Sequence, residues 1–256
     1  MKSFIAFLKK EWQAQLRTGR LMILGCLFAV LGIMNPAIAK MTPWLLGTLA
    51  DTLSESGLAV TAVTVDAMTS WTQFFKNIPM GLLVFLLLES SIFTEEYQSG
   101  TLVLTLTKGF ERYKVVLSKS VMLLLLWTAC LWSCFAITYG YNAFFWDNTA
   151  ARSLVFSAAC WWLLGVWGIL LSVLLSTIAR ANTGVLVGTG AVFVGVYVIS
   201  LFPKARRFSP LMLADSPSLL SGAAAASSYR LSIVVTVLSG AAFAFLGIAM
   251  LNRKQL

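Results

Sequence analysis

The 256-residue sequence contains no histidine, only 11% charged residues, six prolines and four cysteines. Each scarcity excludes something. Without histidine there is no Ser-His-Asp triad, no zinc site of the usual His type and no imidazole proton relay. Cys26, Cys130, Cys134 and Cys160 all lie in apolar runs, where a free cysteine behaves as a small hydrophobe, so they indicate no disulfide framework. Cys130 and Cys134 share a helix face at i, i+4, but soft-metal sites recruit further ligands, and packing is the reading we take. No Gly-Lys pair occurs anywhere, so the phosphate-cradling pattern G-x-x-x-x-G-K-[ST] is missing and the chain is not expected to hydrolyse ATP unaided.

What is abundant is apolar. At 59% apolar the chain exceeds the roughly 45–50% of soluble domains, and its charge falls well below their roughly 25%. This is membrane composition. A crossing helix needs about 20 mostly apolar residues, and the apolar blocks leave room for about six crossings and little else. The formal charge of +9 would suggest nucleic acid in a soluble protein. Here it follows from topology, since basic residues collect on the cytoplasmic side of membrane proteins, and no nucleic-acid partner is expected.

Along the chain, residues 1–20 read as an interfacial amphipathic helix. Phe4, Ile5, Leu8, Trp12 and Leu16 recur at helical spacing with Lys9, Lys10, Gln13 and Arg17 between them. The first span follows at 21–39. Ala37-Ile38-Ala39 has the form of a signal cleavage site, but the charged region before it is too long and the apolar stretch too extended for a signal peptide. Residues 40–77 form an outer segment, where Leu45, Leu46, Leu49 and Leu53 fit a short amphipathic helix. Trp71, Phe74 and Phe75 just before Pro79 suit an aromatic belt. Further spans are expected at 78–93, 115–139, 153–178, 183–202 and 231–251, with a cytoplasmic segment at 94–114 and a second outer segment at 203–230. The fold class is thus all-α integral membrane, an amphipathic helix plus six spans in a single transmembrane domain. With both termini cytoplasmic, twelve of the nineteen basic residues fall inside. The outer cluster Lys204, Arg206 and Arg207 runs against that bias and reads as a headgroup-binding rim or a contact for an anionic substrate.

The segment 94–114 carries the most information. It offers the carboxylates Glu95 and Glu96, a break at Ser99-Gly100-Thr101, an apolar patch of Leu102, Leu104 and Leu106, a second break at Gly109 and a basic return through Arg112 and Lys119. Leucines on a loop in water suggest a docking surface, although the alternation also permits a short strand.

These residues resemble a known family. Glu-Glu-Tyr-x-x-Gly-Thr-Leu, then Leu-Thr-Lys-Gly, Arg112 and Leu117-Ser118-Lys119 look like the segment between the second and third spans of ABC-2 type ABC transporter permeases, in the type V exporter-like architecture. The layout agrees: an elbow helix before six spans, Pro36-x-x-x-Lys40-x-x-Pro43 late in the first, and Phe74-Phe75-Lys76-Asn77-Ile78-Pro79 entering the second. The resemblance implies a bacterial cytoplasmic-membrane permease subunit of an exporter, which dimerises with itself or a related permease and binds two copies of a separate ATP-binding subunit. ATP and Mg would sit on that subunit, with no cofactor, metal or catalytic residue on this chain. A coupling helix seated in the ATPase would map onto Glu95, Glu96, Ser99, Gly100, Thr101, Leu102, Leu104 and Leu106. Short re-entrant helices would fall near 218–228.

The alternative is a stand-alone integral membrane protein, either a secondary transporter or a membrane-embedded enzyme or scaffold. Glu89 bears on the choice, because an ionisable group in a span is costly and functional by default. It lies only about 6 Å along the axis from Phe93, so it reads either as the partner of Arg17, Arg20 or Arg180, or as part of a substrate or proton path. Trp127, Trp132, Trp161, Trp162 and Trp167 read as packing or lipid-facing residues, and Gly165, Gly168, Gly184 and Gly188 as points of close helix approach.

Overall fold

The computed structural model describes residues 2–55, 66–101, 107, 111–179 and 181–253. Among them every regular element is helical. Six helices are long and apolar enough to cross a membrane, which makes this a multi-pass membrane protein. The long elements are α1 (Lys2–Arg17), α2 (Arg20–Glu55), α3 (Ala67–Glu89), α5 (Arg112–Phe145), α6 (Leu154–Ile178), α7 (Asn182–Ser200) and α10 (Arg230–Arg253). The short ones are α4 (Thr94–Gln98), α8 (Pro203–Arg206) and α9 (Ser216–Leu220), with 3-10 turns between them.

The chain passes from α1 to α2 through Thr18 and Gly19 alone. Gly19 sits at φ +72°, a conformation that costs glycine nothing, and it lets α1 turn back against the bundle. On α1 the side chains that pack inward are Phe7, Glu11 and Gln15, while Ile5, Trp12 and Leu16 stay exposed. Of the apolar stripe read from the sequence, Ile5, Trp12 and Leu16 thus face away from the protein, as an interfacial helix requires, while Leu8 packs against the core.

Helix α2 runs unbroken to Glu55, where the sequence suggested a span ending at 39 and a separate short helix beyond it. Pro36 and Pro43 lie inside it. A proline has no N–H to give the carbonyl four residues back, so Pro36 frees the Gly32 oxygen. Thr138 Oγ1 of α5 donates to that oxygen at 2.9 Å and repairs the ladder from a neighbouring helix. Asn35 donates to Thr138 at 3.3 Å and accepts from Asn77 of α3 at 2.7 Å, so a polar seam joins α2, α3 and α5.

Helix α3 starts at Ala67, eleven residues before the span expected at 78, with Asp66 capping it by accepting from the Thr69 N–H. The early start turns Trp71, Phe74 and Phe75 inward. They are buried against one another and against Phe135 of α5, so they form core, not a lipid-facing belt.

Central to the bundle is α6, which packs on α10, α5, α7 and α3. Of its apolar stretch 67% is buried in the protein, against 17% for α10 and 11% for α7, so the last two turn most of their apolar surface outward. Lipid tails give no hydrophobic drive to helix pairing, so small residues and interhelical hydrogen bonds do the joining. Gly165 lies directly over the Trp127 ring, whose Nε1 donates to the Trp162 carbonyl at 3.1 Å. Trp162 donates to Thr128, Trp167 to Ser239 of α10, and Trp161 to Ser216 of α9. Cys130, Cys134 and Cys160 are buried and free; Cys26 is exposed and free. Between α7 and α10 the short helices fold back so that Leu213, Leu219, Leu220 and Tyr229 are buried against the bundle.

Candidate functional site

Charged residues gather at the end of the bundle where α1, the start of α2, the end of α3, α4 and the start of α5 meet. Lys119, one to two turns into α5, is 1% exposed. Its ammonium donates to Glu11 Oε2 of α1 at 3.1 Å and to the Ile92 carbonyl at 3.1 Å, and it pairs with Glu96 Oε2 of α4 at 3.3 Å. Two of these oxygens accept hydrogen bonds, and the Glu96 oxygen stands at ion-pair distance. The Phe93 ring closes the fourth side, its centroid 5.3 Å from Nζ.

Around this buried pair lies a second layer. Lys10 donates to Glu96 at 3.1 Å, and Arg20 binds both Glu95 and Ser91. Ser91 in turn donates to Glu95 at 2.6 Å. Gln15 Nε2 donates to Glu89 Oε2 at 2.6 Å, and both side chains are buried. Helix α4, five residues long and unable to stand alone, is thereby fastened to α1, α2 and α5. Beside it opens a cavity of about 590 Å³ lined by Lys10, Glu11, Gln15, Arg20, Glu96 and Lys119 among others. At the entry to α5, exposed Glu111 accepts from Lys114 at 2.7 Å, which holds its carboxyl below the ordinary carboxylate range.

The residues singled out from the sequence fall in three places. Glu95 and Glu96 lie in this cluster and are engaged inside the chain. Ser99, Gly100 and Thr101 follow on the surface, with Ser99 and Thr101 hydroxyls 2.9 Å apart and Gly100 at φ +68° with open space around it. Leu102, Leu104 and Leu106 lie outside the described residues. Glu89 forms no ion pair with Arg17 or Arg20 among the described residues, its bonded partner being Gln15; Arg180 lies outside them. At the opposite end Lys204, Arg206 and Arg207 are exposed, and Arg206 donates to Asp215 at 2.9 Å.

Sequence reasoning did not single out Glu11, Gln15 or Lys119 as a unit. The available signal was the i, i+4 pair Glu11 and Gln15 at the edge of the apolar stripe of α1, away from the basic face of Lys10 and Arg17, together with a lysine set inside an apolar helix.

A second feature is a groove of about 450 Å³ between α3, α6 and α7, lined almost wholly by apolar atoms from residues such as Leu83, Leu86, Trp161, Leu164 and Phe193. Among the described residues no group of three His, Cys, Asp or Glu is placed to hold a metal.

The family model for ABC-2 family transporter proteins matches residues 5–214, from within α1 to the 3-10 turn Pro210–Ala214. No curated protein matches the chain.

Proposed function

The chain belongs to the ABC-2 family of transporter proteins, membrane permeases that work with an ABC ATP-binding subunit, and we propose that it forms the translocation pathway of an ATP-driven exporter. In this reading the α1 end faces the cytoplasm and meets the ATP-binding subunit, which holds ATP and Mg. Two permease chains, identical or related, pair with two such subunits. The exposed apolar surfaces of α7 and α10 are available to the second permease chain and to lipid.

The observation that carries the coupling assignment is the fastening of α4 to three other helices by Lys10–Glu96, Lys119–Glu96 and Arg20–Glu95. A short helix so held moves only with α1, α2 and α5. A displacement applied at Ser99, Gly100 and Thr101 therefore passes into the spans instead of being lost in a loose loop. Glu95 and Glu96 act here as the inner anchorage of the coupling segment, while Ser99 to Thr101 and the leucines at 102, 104 and 106 supply its outer contact. The groove between α3, α6 and α7 suits an apolar or amphipathic cargo.

Crosslinking tests the placement. A cysteine at Ser99 or Thr101, in a chain without its native cysteines, should join to the ATP-binding subunit, and one at exposed Lys204 on the opposite end should not. Equal crosslinking from both ends, or none from Ser99 and Thr101, contradicts it.

A further inference from the structure

Three bases and four acids meet at the α1 end, and each base already has an acid. Lys119 is shared by Glu11 and Glu96, Lys10 approaches the same two, and Arg20 holds Glu95. Glu89 is the acid left over. It is 3% exposed, and among the described residues no cation lies within ion-pair distance of it. Its Oε2 accepts from Gln15 Nε2 at 2.6 Å, while its Oε1 is buried without a hydrogen-bond partner. Gln15, 5% exposed, has the matching deficit, since its Oε1 is also buried and unpartnered.

Two orphaned acceptors on two side chains already joined by one hydrogen bond lack a single thing, a hydrogen between them. A buried carboxylate with no countercharge is strongly disfavoured, and so is each unmet acceptor. One proton on Glu89 Oε1 removes all three faults at once. The charge of the cluster balances at three against three, and the O–H can donate to Gln15 Oε1. Turning the amide over brings two acceptor oxygens face to face and requires the same proton.

We propose that Glu89 is a proton-binding site, a carboxylic acid that closes a two-bond ring with the Gln15 amide and so fastens the surface helix α1 to the inner end of α3. A metal ion suits the place less well. Hard cations take six or more oxygen ligands, whereas four buried oxygens of this cluster lack a hydrogen-bond partner, and two of them, on Glu11 and Glu96, already face the Lys10 and Lys119 ammoniums. The ionisable groups that face Glu89 are Arg20 from α2, Glu95 from α4, and Lys119 and Cys130 from α5. Arg20 is held by Glu95, and Lys119 by Glu11 and Glu96. Because the attached state holds the proton, attachment of α1 is complete at lower pH and weakens as the pH rises and the proton leaves.

Difference infrared spectroscopy of the full chain in lipid nanodiscs tests this, comparing wild type with Glu89→Gln at neutral pH, in sodium and in choline buffers. Expected is one protonated-carboxyl band present in wild type, lost in Glu89→Gln and indifferent to sodium. Hydrogen exchange of the α1 amides, corrected for intrinsic rates, should show protection that falls with rising pH in wild type. In Glu89→Gln, whose amide keeps both bonds without a proton, protection should be independent of pH. Should Glu89→Gln fail to fold, Gln15→Leu should move the same band to higher frequency as the acid loses its acceptor. No band difference, an unmoved band in Gln15→Leu, a band abolished by sodium, or α1 protection with the same pH dependence in both chains overturns the proposal.

Discussion

Thr138 supplies to Gly32, from across the α2–α5 interface, the hydrogen bond that Pro36 withholds within α2. Thr138 also accepts from Asn35 at 3.3 Å and is 0% exposed, so water cannot take its place. Thr138→Val keeps the shape and leaves a buried carbonyl and a buried amide unmet, at about 1–3 kcal/mol for each such group. Thr138→Ser keeps the hydroxyl and should recover most of the loss. Thermal unfolding in detergent, followed by near-ultraviolet circular dichroism, ranks the three chains; equal melting of the Val variant and wild type would contradict the repair.

Gly165 is a point of close approach between α5 and α6. A Cβ there would lie 2.2 Å from Trp127 Cε2, and Trp127 is wholly buried and hydrogen-bonded to the Trp162 carbonyl. Gly165→Ala should destabilise by about 1–3 kcal/mol, the usual cost of overpacking. Adding Trp127→Leu should make the alanine less harmful than it is alone. Strictly additive effects in that double-mutant cycle would show that the two residues do not meet.

Lys119 is the buried hub of the charged cluster. Lys119→Met leaves Glu11 and Glu96 only the exposed Lys10, at 3.7 and 3.1 Å, and loss of one member of a buried pair costs about 3–5 kcal/mol. The double change Lys119→Met, Glu11→Gln should recover part of this. The measured quantities are the melting temperature and the rate of proteolysis within α1, and the single variant should expose α1 first. Unchanged cleavage of α1 in Lys119→Met would detach that helix from the ion pairs.

An insertion of two glycines after Gly100 separates structure from coupling. Gly100 has open space around it and lies beyond the ion pairs of α4, so melting should shift by no more than about 0.5 kcal/mol, as for ordinary surface changes. Stimulation of the ATP-binding subunit by the permease should fall severalfold. If the insertion unfolds the chain, or leaves stimulation whole, the segment is not the relay assigned to it.

The six apolar helices were legible because each apolar run approaches or exceeds the length that spans a bilayer, and burial then needs no further instruction. The unbroken course of α2 was not legible. Two prolines and a polar stretch argue for a break, and the compensating donor, Thr138, is 106 residues away. The inward turn of Trp71, Phe74 and Phe75 depends in the same way on Phe135. Glu95 and Glu96 announced themselves as a carboxylate pair, but their partners Lys10, Arg20 and Lys119 lie on three other helices, so sequence spacing gave no sign that both are spent within the chain. Gln15 and Glu89 are further still from legible, since only their shared burial shows what each lacks.

Whether the permease borrows its energy chemistry from another polypeptide is read out most directly by affinity purification of the chain from its own membranes, with ATP hydrolysis measured on the eluate. Expected is a separate co-purifying subunit that carries a Gly-Lys phosphate loop, hydrolyses ATP and is lost when Gly100 is followed by the insertion. A chain that purifies without any nucleotide-hydrolysing partner and still transports would contradict it.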